Sequence, residues 1–372
     1  MNYGNIASLF KSFHQEHPPF LDITKYGHEQ YQDIIIDNLV VKKASGNHCS
    51  SEIRYEVIRK VLDKYRRPFD MLDIGASQGY YSFRAAHDYD CVCVMLEGNN
   101  PEYPKVGTQL LDLCEANHSL GNIILLNKMI IPEDLKRLSE CENFDVVLAL
   151  NIIHWFGSRW KEVADAILGM GRSIIIETPP QEKHASQEQN DLRNRIEKYL
   201  LFMDARMLGE VPRHTTAHEM AKIYLIESEK NRLAKKQWLS PKSPDNDNFI
   251  TSNYHVKTIT KFPPHSRGIT VREWKPGINL MTYLMYGGAY PSRKRVMEAL
   301  RRIQEPDHND WTVNNMILQG DQLSLIDWDD PVHGPDGGRW MTPRVLNAHL
   351  HLVGLREPRK IEHYFWNHLI KT

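Results

Sequence analysis

Short apolar runs alternate with amphipathic stretches between residues 69 and 177, and this alternation restricts the fold more than any other feature. The runs have the length of strands, and the stretches carry apolar residues at helical spacing. The predicted strands are 69–74, 91–96, 123–126, 144–150 and 173–177, and the predicted helices are 52–62, 80–87, 101–117, 132–139 and 160–170. This order predicts an α/β fold, in which helices cover both faces of a mostly parallel sheet.

Three further regions flank this alternation. Residues 1–50 are polar with one apolar run, and they predict an N-terminal extension packed on an α/β domain at 51–228. A polar, proline-containing segment predicts a linker at 229–249, and a second, smaller α+β domain is predicted at 250–372. The apolar run 221–226 predicts a late strand at the edge of the sheet.

Composition limits the partners of this chain of 372 residues. Its formal net charge is −1, so no global field attracts nucleic acid or an anionic membrane. The short basic run 293–295 is typical of a solvated helix face rather than a nucleic-acid site. No run approaches the roughly 18 apolar residues of a membrane span. The five cysteines form no CxxC pair, which predicts reduced thiols and a cytoplasmic location.

A glycine-containing loop follows the first predicted strand and leads into a helix. It reads Asp73-Ile-Gly75-Ala-Ser77-Gln-Gly79, and its glycines let the backbone turn tightly and approach a ligand. Ligands of open α/β sheets bind outside the carboxyl ends of strands. The spacing differs from the dinucleotide pattern G-x-G-x-x-G, which favours a cofactor without a pyrophosphate.

Polar residues also end the next predicted strands. Glu97 closes the second strand, where a carboxylate can accept hydrogen bonds from both ribose hydroxyls of a nucleoside. The third strand ends near 127–129, whose side chains would flank an adenine. The fourth ends in Leu150-Asn151-Ile-Ile-His154-Trp155. We expect these residues to surround one cofactor pocket.

In this order, the loop, the acid and the fourth-strand segment resemble the class I SAM-dependent methyltransferases over residues 52–178. The resemblance implies a Rossmann-like class I methyltransferase sheet, with S-adenosyl-L-methionine (SAM) as the cofactor. It implies that the loop surrounds the methionine portion and that Glu97 binds the ribose. The residues predicted to bind SAM are Arg54, Asp73, Gly75, Ser77, Gly79, Glu97 and Asn151.

His154 is the main candidate for chemistry, because an imidazole takes a proton from a hydroxyl acceptor near neutral pH. The alternative is that His154 only shapes the pocket or orients Asn151. Arg54, on the helix before the loop, either reaches the SAM carboxylate or faces solvent. Glu177, at the end of the fifth strand, has either a structural role or a role toward the substrate.

A second motif, His308-Asn-Asp310 with Asn315 and then Asp327, has the spacing of a kinase catalytic loop and contains an intervening strand pair. It resembles the protein-kinase-like phosphotransferases. That resemblance implies ATP and Mg²⁺, with Asp310 acting on the substrate hydroxyl and Asn315 and Asp327 as metal ligands. Lys257 is the predicted strand lysine, with Lys261 as the alternative. No Gly-rich loop precedes it, so the shortened module either phosphorylates an acceptor or only binds it.

One family joins both motifs in this order. From about residue 52 to 330 the chain resembles the bifunctional methyltransferase–kinases that terminate polymannose O-antigen chains. The resemblance implies a SAM-dependent O-methyltransferase acting on a glycan or sugar phosphate. The alternatives are an RNA or small-molecule methyltransferase with an inactive kinase-like docking domain, and a non-catalytic adaptor. The oligomeric state stays open.

Overall fold

A central sheet, its covering helices and two small satellite sheets make up the described part of the protein. The computed structural model describes residues 31–44, 51–66, 68–99, 104–179, 186–212, 220–228, 275–303 and 316–325. The strands are β1 (Ile34–Ile36), β2 (Leu39–Lys42), β3 (Phe69–Ile74), β4 (Cys91–Glu97), β5 (Ile123–Asn127), β6 (Phe144–Leu150), β7 (Gly171–Thr178), β8 (Arg206–Pro212), β9 (Met220–Glu227), β10 (Ile278–Asn279), β11 (Gly288–Tyr290), β12 (Met316–Gln319) and β13 (Gln322–Leu325). The helices are α1 (Ser51–Leu62), α2 (Tyr80–Asp88), α3 (Val106–Ala116), α4 (Pro132–Cys141), a 3-10 helix (Ile153–Arg159), α5 (Trp160–Met170), α6 (Gln187–Phe202), α7 (Leu280–Met285) and α8 (Arg293–Arg302). None of these helices is both long and apolar enough to cross a bilayer.

Eight strands form the central sheet in the order β11-β5-β4-β3-β6-β7-β9-β8. The five strands from β5 to β7 run parallel, whereas β11, β9 and β8 are each antiparallel to a neighbour. The predicted α/β fold with a mostly parallel sheet is therefore confirmed. The strand order reverses between β3 and β6, and open sheets of this kind bind ligands in the crevice at that point.

Alternate side chains of each parallel strand enter two separate apolar layers. Leu72 and Ile74 of β3 belong to the layer with α4, α5 and α6, whereas Phe69 and Met71 belong to the layer with α1, α2 and α3. Because both faces are covered, the strands read as nearly continuous apolar runs. Each fully buried side chain of this size contributes roughly 1.5–3 kcal/mol.

Most predicted elements coincide with observed ones, but the far edge of the sheet was misplaced. The predicted strands 69–74 and 144–150 match β3 and β6 to the residue. The predicted helix 101–117 begins only at Val106. The late strand is present as β9, but its predicted place at the edge is wrong, because β8 pairs with its outer side.

The N-terminal segment 31–44 forms a hairpin of β1 and β2 that lies against α2 and α3. The buried Asn117 side chain accepts a hydrogen bond from the Asp37 backbone N–H (3.0 Å) and donates one to the Ile35 carbonyl (3.0 Å). At the other end, Gln32 donates from its backbone to the Gln78 side chain, again at 3.0 Å. The hairpin thus reaches the glycine loop directly.

The C-terminal segment 275–303 lies against the same sheet and supplies its edge strand. Strand β11 pairs antiparallel with β5, and the layer under α4 and α5 also holds Tyr283 and Tyr286. Polar contacts fix the segment further: Glu142 accepts hydrogen bonds from the Asn279 backbone N–H (3.0 Å) and the Thr282 hydroxyl (2.5 Å). The described part of 250–372 therefore shares a core with the preceding domain, and a separate kinase-like domain stays a prediction.

Strands β12 and β13 form an antiparallel hairpin joined by a turn at Gly320. This hairpin stands between Asn315 and Asp327, where a strand pair was expected. Strand β12 also pairs with β10, which ties the hairpin to the C-terminal segment. The motif residues on either side of the hairpin lie outside the described residues.

Candidate functional site

The carboxyl ends of the central strands bring the predicted site residues to one edge of the sheet. Glu97 pairs in register with Asn127 of β5, and Asp73 pairs with Leu148 of β6. Asn151 follows β6 directly. The glycine loop, the strand-end acid and the fourth-strand segment therefore meet at the point where the strand order reverses.

The glycine loop is held in a left-handed conformation at three positions. Gly75 has a φ of 74°, Gly79 has a φ of 73°, and Ser77 between them has a φ of 55°. A Cβ on Gly75 would also lie 2.5 Å from the Ile152 side chain of the fourth-strand segment. Only glycine accepts that combination of backbone angle and close approach without strain. The loop consequently packs against the segment that carries the candidate chemistry.

Glu97 links β4 to the glycine loop. Its carboxylate is 8% exposed and accepts hydrogen bonds from the backbone N–H groups of Ser77 and Gly98, both at 2.9 Å. Burial raises the pKa of Glu97, and the two backbone donors oppose that rise. An ionised carboxylate has about four lone-pair sites, so two bonds leave capacity for further donors.

Asp73 is buried at the end of β3. It accepts a hydrogen bond from the Ser82 hydroxyl at 2.8 Å. Burial raises the pKa of Asp73 to about 7, and the nearby charge of Glu97 adds to the rise, whereas the Ser82 hydrogen bond lowers it. The carboxyl therefore changes charge near neutral pH and can respond to a charged ligand.

Arg54 is completely buried, so the solvent-facing alternative for this residue is wrong. Its Nε and Nη2 atoms donate to the two carboxylate oxygens of Glu177 at 2.9 and 3.0 Å, and Nη2 also donates to the Pro212 carbonyl at 2.8 Å. Burial alone would lower the pKa of Arg54, but Glu177 and nearby tyrosines raise it above its ordinary value. Both oxygens of Glu177 are thus engaged, which favours the structural role for that acid.

Three buried polar atoms near this ion pair have no hydrogen-bond partner among the residues that the structure describes. They are Arg54 Nη1, Tyr81 Oη and Asn151 Oδ1. Tyr81 lies within electrostatic range of Arg54 and Asp73, and burial raises its pKa well above the ordinary value. An unsatisfied buried group costs about 1–3 kcal/mol. Two donor groups and one acceptor are consequently unsatisfied at this end of the described site.

The fourth-strand segment places His154 and Trp155 on the 3-10 helix after Asn151. His154 is half-buried, its ring centre lies 5.5 Å from that of Trp155, and Trp155 is 56% exposed. The Asn151 amide donates to the Tyr31 hydroxyl at 2.8 Å. Tyr31 was missed from the sequence, because nothing in its polar surroundings marks it as part of a site.

The structure gives no position for the second motif. Lys257, Asp310, Asn315 and Asp327 all lie outside the described residues. Their predicted roles with ATP and Mg²⁺ therefore stay predictions.

Comparisons with known proteins give similarities of low identity. No protein-family model matches the chain, and no curated protein matches it. A solved structure of the N-terminal domain of EvdMO1 with SAH bound is similar at 17% identity and a TM-score of 0.38, over 61% of this chain and 97% of that one. The structure of WbdD with its C-terminal bundle ordered has 16% identity and a TM-score of 0.38, over 84% and 75% of the two chains. Magnesium protoporphyrin IX methyltransferase (ChlM) from Synechocystis PCC 6803 with bound SAM has 14% identity and a TM-score of 0.34, over 48% and 78%.

Proposed function

We propose that this chain is a SAM-dependent methyltransferase whose cofactor lies along the carboxyl edge of the sheet, from Glu97 to Arg54. The observation that carries the proposal is the meeting of a left-handed glycine loop and a buried strand-end carboxylate on neighbouring strands. Ligands of open α/β sheets bind in this crevice. The next strand on the other side supplies Asn151, so one extended ligand would contact all three strand ends.

The orphaned atoms fit the methionine half of SAM. A methionine moiety carries a carboxylate and an ammonium group. The unsatisfied donors Arg54 Nη1 and Tyr81 Oη suit the carboxylate, and the unsatisfied acceptor Asn151 Oδ1 suits the ammonium. Asp73 lies within electrostatic range of Tyr81, and its carboxylate would favour a positive charge on the bound ligand.

The opposite end of the site fits the nucleoside half. The remaining acceptor capacity of Glu97 suits two ribose hydroxyls, while its present bonds fix the carboxylate toward the loop. Residues 127–129 lie beside it, because the Lys128 backbone N–H donates to the Glu97 carbonyl at 3.1 Å. The two halves of the proposed cofactor thus meet chemically different groups.

Transfer to a hydroxyl acceptor would place its chemistry beside His154. SAM supplies an activated methyl group when bound, and the protein must mainly align the acceptor with it. The half-buried His154 is the residue that would take the hydroxyl proton. The exposed Trp155 next to it offers a flat apolar wall for the acceptor.

For the acceptor, we propose a glycan or sugar phosphate. This is supported by the kinase-like spacing of Asp310, Asn315 and Asp327 on the same chain, and by the hairpin β12–β13 between the last two. The alternative is an RNA or small-molecule acceptor with a docking role for the C-terminal module. Calorimetry with ATP and Mg²⁺ distinguishes these two proposals. An active module is favoured if the protein binds ATP, if Asp327→Ala abolishes that binding, and if Asp310→Ala abolishes phosphotransfer.

The direct test of the cofactor is calorimetry with S-adenosylhomocysteine (SAH). We expect Glu97→Ala to weaken SAH binding by roughly 100-fold or more, because two hydrogen bonds to a charged group are lost, each worth about 1.5–3 kcal/mol. Glu188→Ala, which removes an exposed acid on α6, serves as the control and should leave the affinity unchanged. Failure of the wild-type protein to bind SAH or SAM would overturn the proposal.

A further inference from the structure

The C-terminal segment touches the loop that lies beside Glu97. At the turn before β11, the Gly287 carbonyl accepts a hydrogen bond from the Asn127 backbone N–H at 3.1 Å. Strand β11 then pairs Gly288 with Leu126 of β5. A segment about 160 residues further along the chain therefore contacts the nucleoside end of the proposed site.

Tyr286 holds the next residue of that loop. Its ring is 2% exposed, and its hydroxyl donates to the Asp134 carbonyl at 2.9 Å. The Lys128 ammonium lies 4.9 Å from the centre of this ring and 2.8 Å from an Asp134 carboxylate oxygen. A cation over an aromatic face is attracted by the ring quadrupole, so the ring and the carboxylate together fix the Lys128 side chain.

The same loop has little room to move on its other side. A Cβ added to Gly98 would lie 2.3 Å from the backbone of Lys128 and of Met129, so these two segments of backbone approach each other closely. The Lys128 backbone also donates to the Glu97 carbonyl. The backbone of the loop is consequently held at Glu97 and Gly98, and Tyr286 contacts the Lys128 side chain of the same loop.

We propose that Tyr286 is a positioning residue for the nucleoside half of the cofactor site, acting through Lys128. The inference rests on the proposed function, since it concerns the same site. It makes the C-terminal segment a working part of that site and not only a neighbouring module. A truncated chain that ends before residue 275 would lack this support.

Binding of two ligands tests whether Tyr286 positions the nucleoside half of the cofactor site or only packs in the core. SAH contains both halves of the cofactor, whereas 5′-methylthioadenosine contains the nucleoside without the amino-acid group. We expect Tyr286→Leu in the full chain to weaken both ligands by the same factor, roughly five-fold, because the cation–aromatic contact is lost. Tyr286→Phe keeps the ring and should retain wild-type affinity for both. The control is Tyr199→Leu, which removes a comparable contact with Lys161 (5.0 Å) on α5 and should change neither affinity.

The variant Lys128→Met tests the same proposal without altering a buried core side chain. It should weaken both ligands as Tyr286→Leu does, and the double variant should be no worse than either single one, because the residues act in series. Wild-type affinity for both ligands in folded Tyr286→Leu and in Lys128→Met would overturn the inference while leaving the proposed function standing. Failure of the wild-type protein to bind either ligand would overturn both.

Discussion

Strand β3 carries a buried aspartate near each end, and the two ends are built differently. At the amino end, the Asp70 carboxylate accepts hydrogen bonds from the backbone N–H groups of Asp145 (2.7 Å) and Gly277 (3.0 Å). At the carboxyl end, Asp73 lies within electrostatic range of Tyr81, whose hydroxyl has no hydrogen-bond partner among the described residues. Both ends are buried and polar, but among the described residues the unsatisfied atoms of Arg54, Tyr81 and Asn151 lie at the carboxyl end.

This difference distinguishes polar groups that stabilise the fold from polar groups that are unsatisfied until a ligand binds. Buried polar groups are normally satisfied, so an unsatisfied cluster needs an explanation. The amino end uses its acids to dock the C-terminal segment, as Glu142 also does with Asn279 and Thr282. The carboxyl end tolerates unsatisfied groups, which is the expected state of a site that binds a polar ligand.

The largest expected effect is at the amino end. Asp70→Ala leaves two buried backbone N–H groups without their acceptor, and we expect the free energy of unfolding to fall by about 4 kcal/mol. The measurement is urea denaturation followed by circular dichroism. Asp112→Ala, at an exposed position of α3, is the control and should change stability by less than about 0.5 kcal/mol. A loss below about 1 kcal/mol for Asp70→Ala would contradict the structural role.

Asp73 should give the carboxyl end a characteristic pH dependence. Its pKa of about 7 in the folded protein exceeds the ordinary value of 3.8, so the folded state keeps a proton that the unfolded chain has lost. Stability should therefore fall as pH rises from about 5 to 7, by roughly 2 kcal/mol from this residue, and level off above pH 7. Asp73→Asn should lack this part of the fall. Parallel stability–pH curves for the two proteins would show that Asp73 does not hold its proton.

The smallest expected effects are those of removing one tyrosine hydroxyl at each end of the strand. Tyr65 donates to the Asp145 carbonyl at 2.8 Å, whereas the Tyr81 hydroxyl has no hydrogen-bond partner within the described part of the chain. Tyr65→Phe should cost about 1 kcal/mol of stability and leave SAH affinity unchanged. Tyr81→Phe should cost no stability but weaken SAH roughly five-fold, with 5′-methylthioadenosine unaffected. Equal SAH affinities for the two variants would remove the distinction between the ends.

The sequence predicts the parts of this molecule whose signals are local. Strands β3 and β6 are apolar runs bounded by polar residues, and the glycine-loop motif Asp73–Gly79 is contiguous in the sequence. Strand β11 has only three residues without periodicity, so its pairing with β5 depends on contacts distant in sequence. A regular pattern was equally absent from β8, whose edge position leaves much of it exposed.

The site shows the same division between local and distant signals. The glycine loop and Glu97 are readable from spacing, because each ends a recognisable strand. The burial of Arg54 is not readable, since its partner Glu177 is 123 residues away and an arginine on an amphipathic helix usually faces solvent. Tyr31 and Tyr81 carry no motif at all, and only the folded chain brings them beside Arg54.

The pairing of β11 with β5 also has a consequence for folding during synthesis. The edge of β5 that it covers leaves the ribosome about 160 residues earlier, and at 5–20 residues per second this amounts to roughly 8–30 seconds. During that interval β5 is an unpaired apolar edge of the kind that recruits other chains into aggregates. We therefore expect the outer edge of β5 to stay uncovered by β11 until the C-terminal segment has been synthesised.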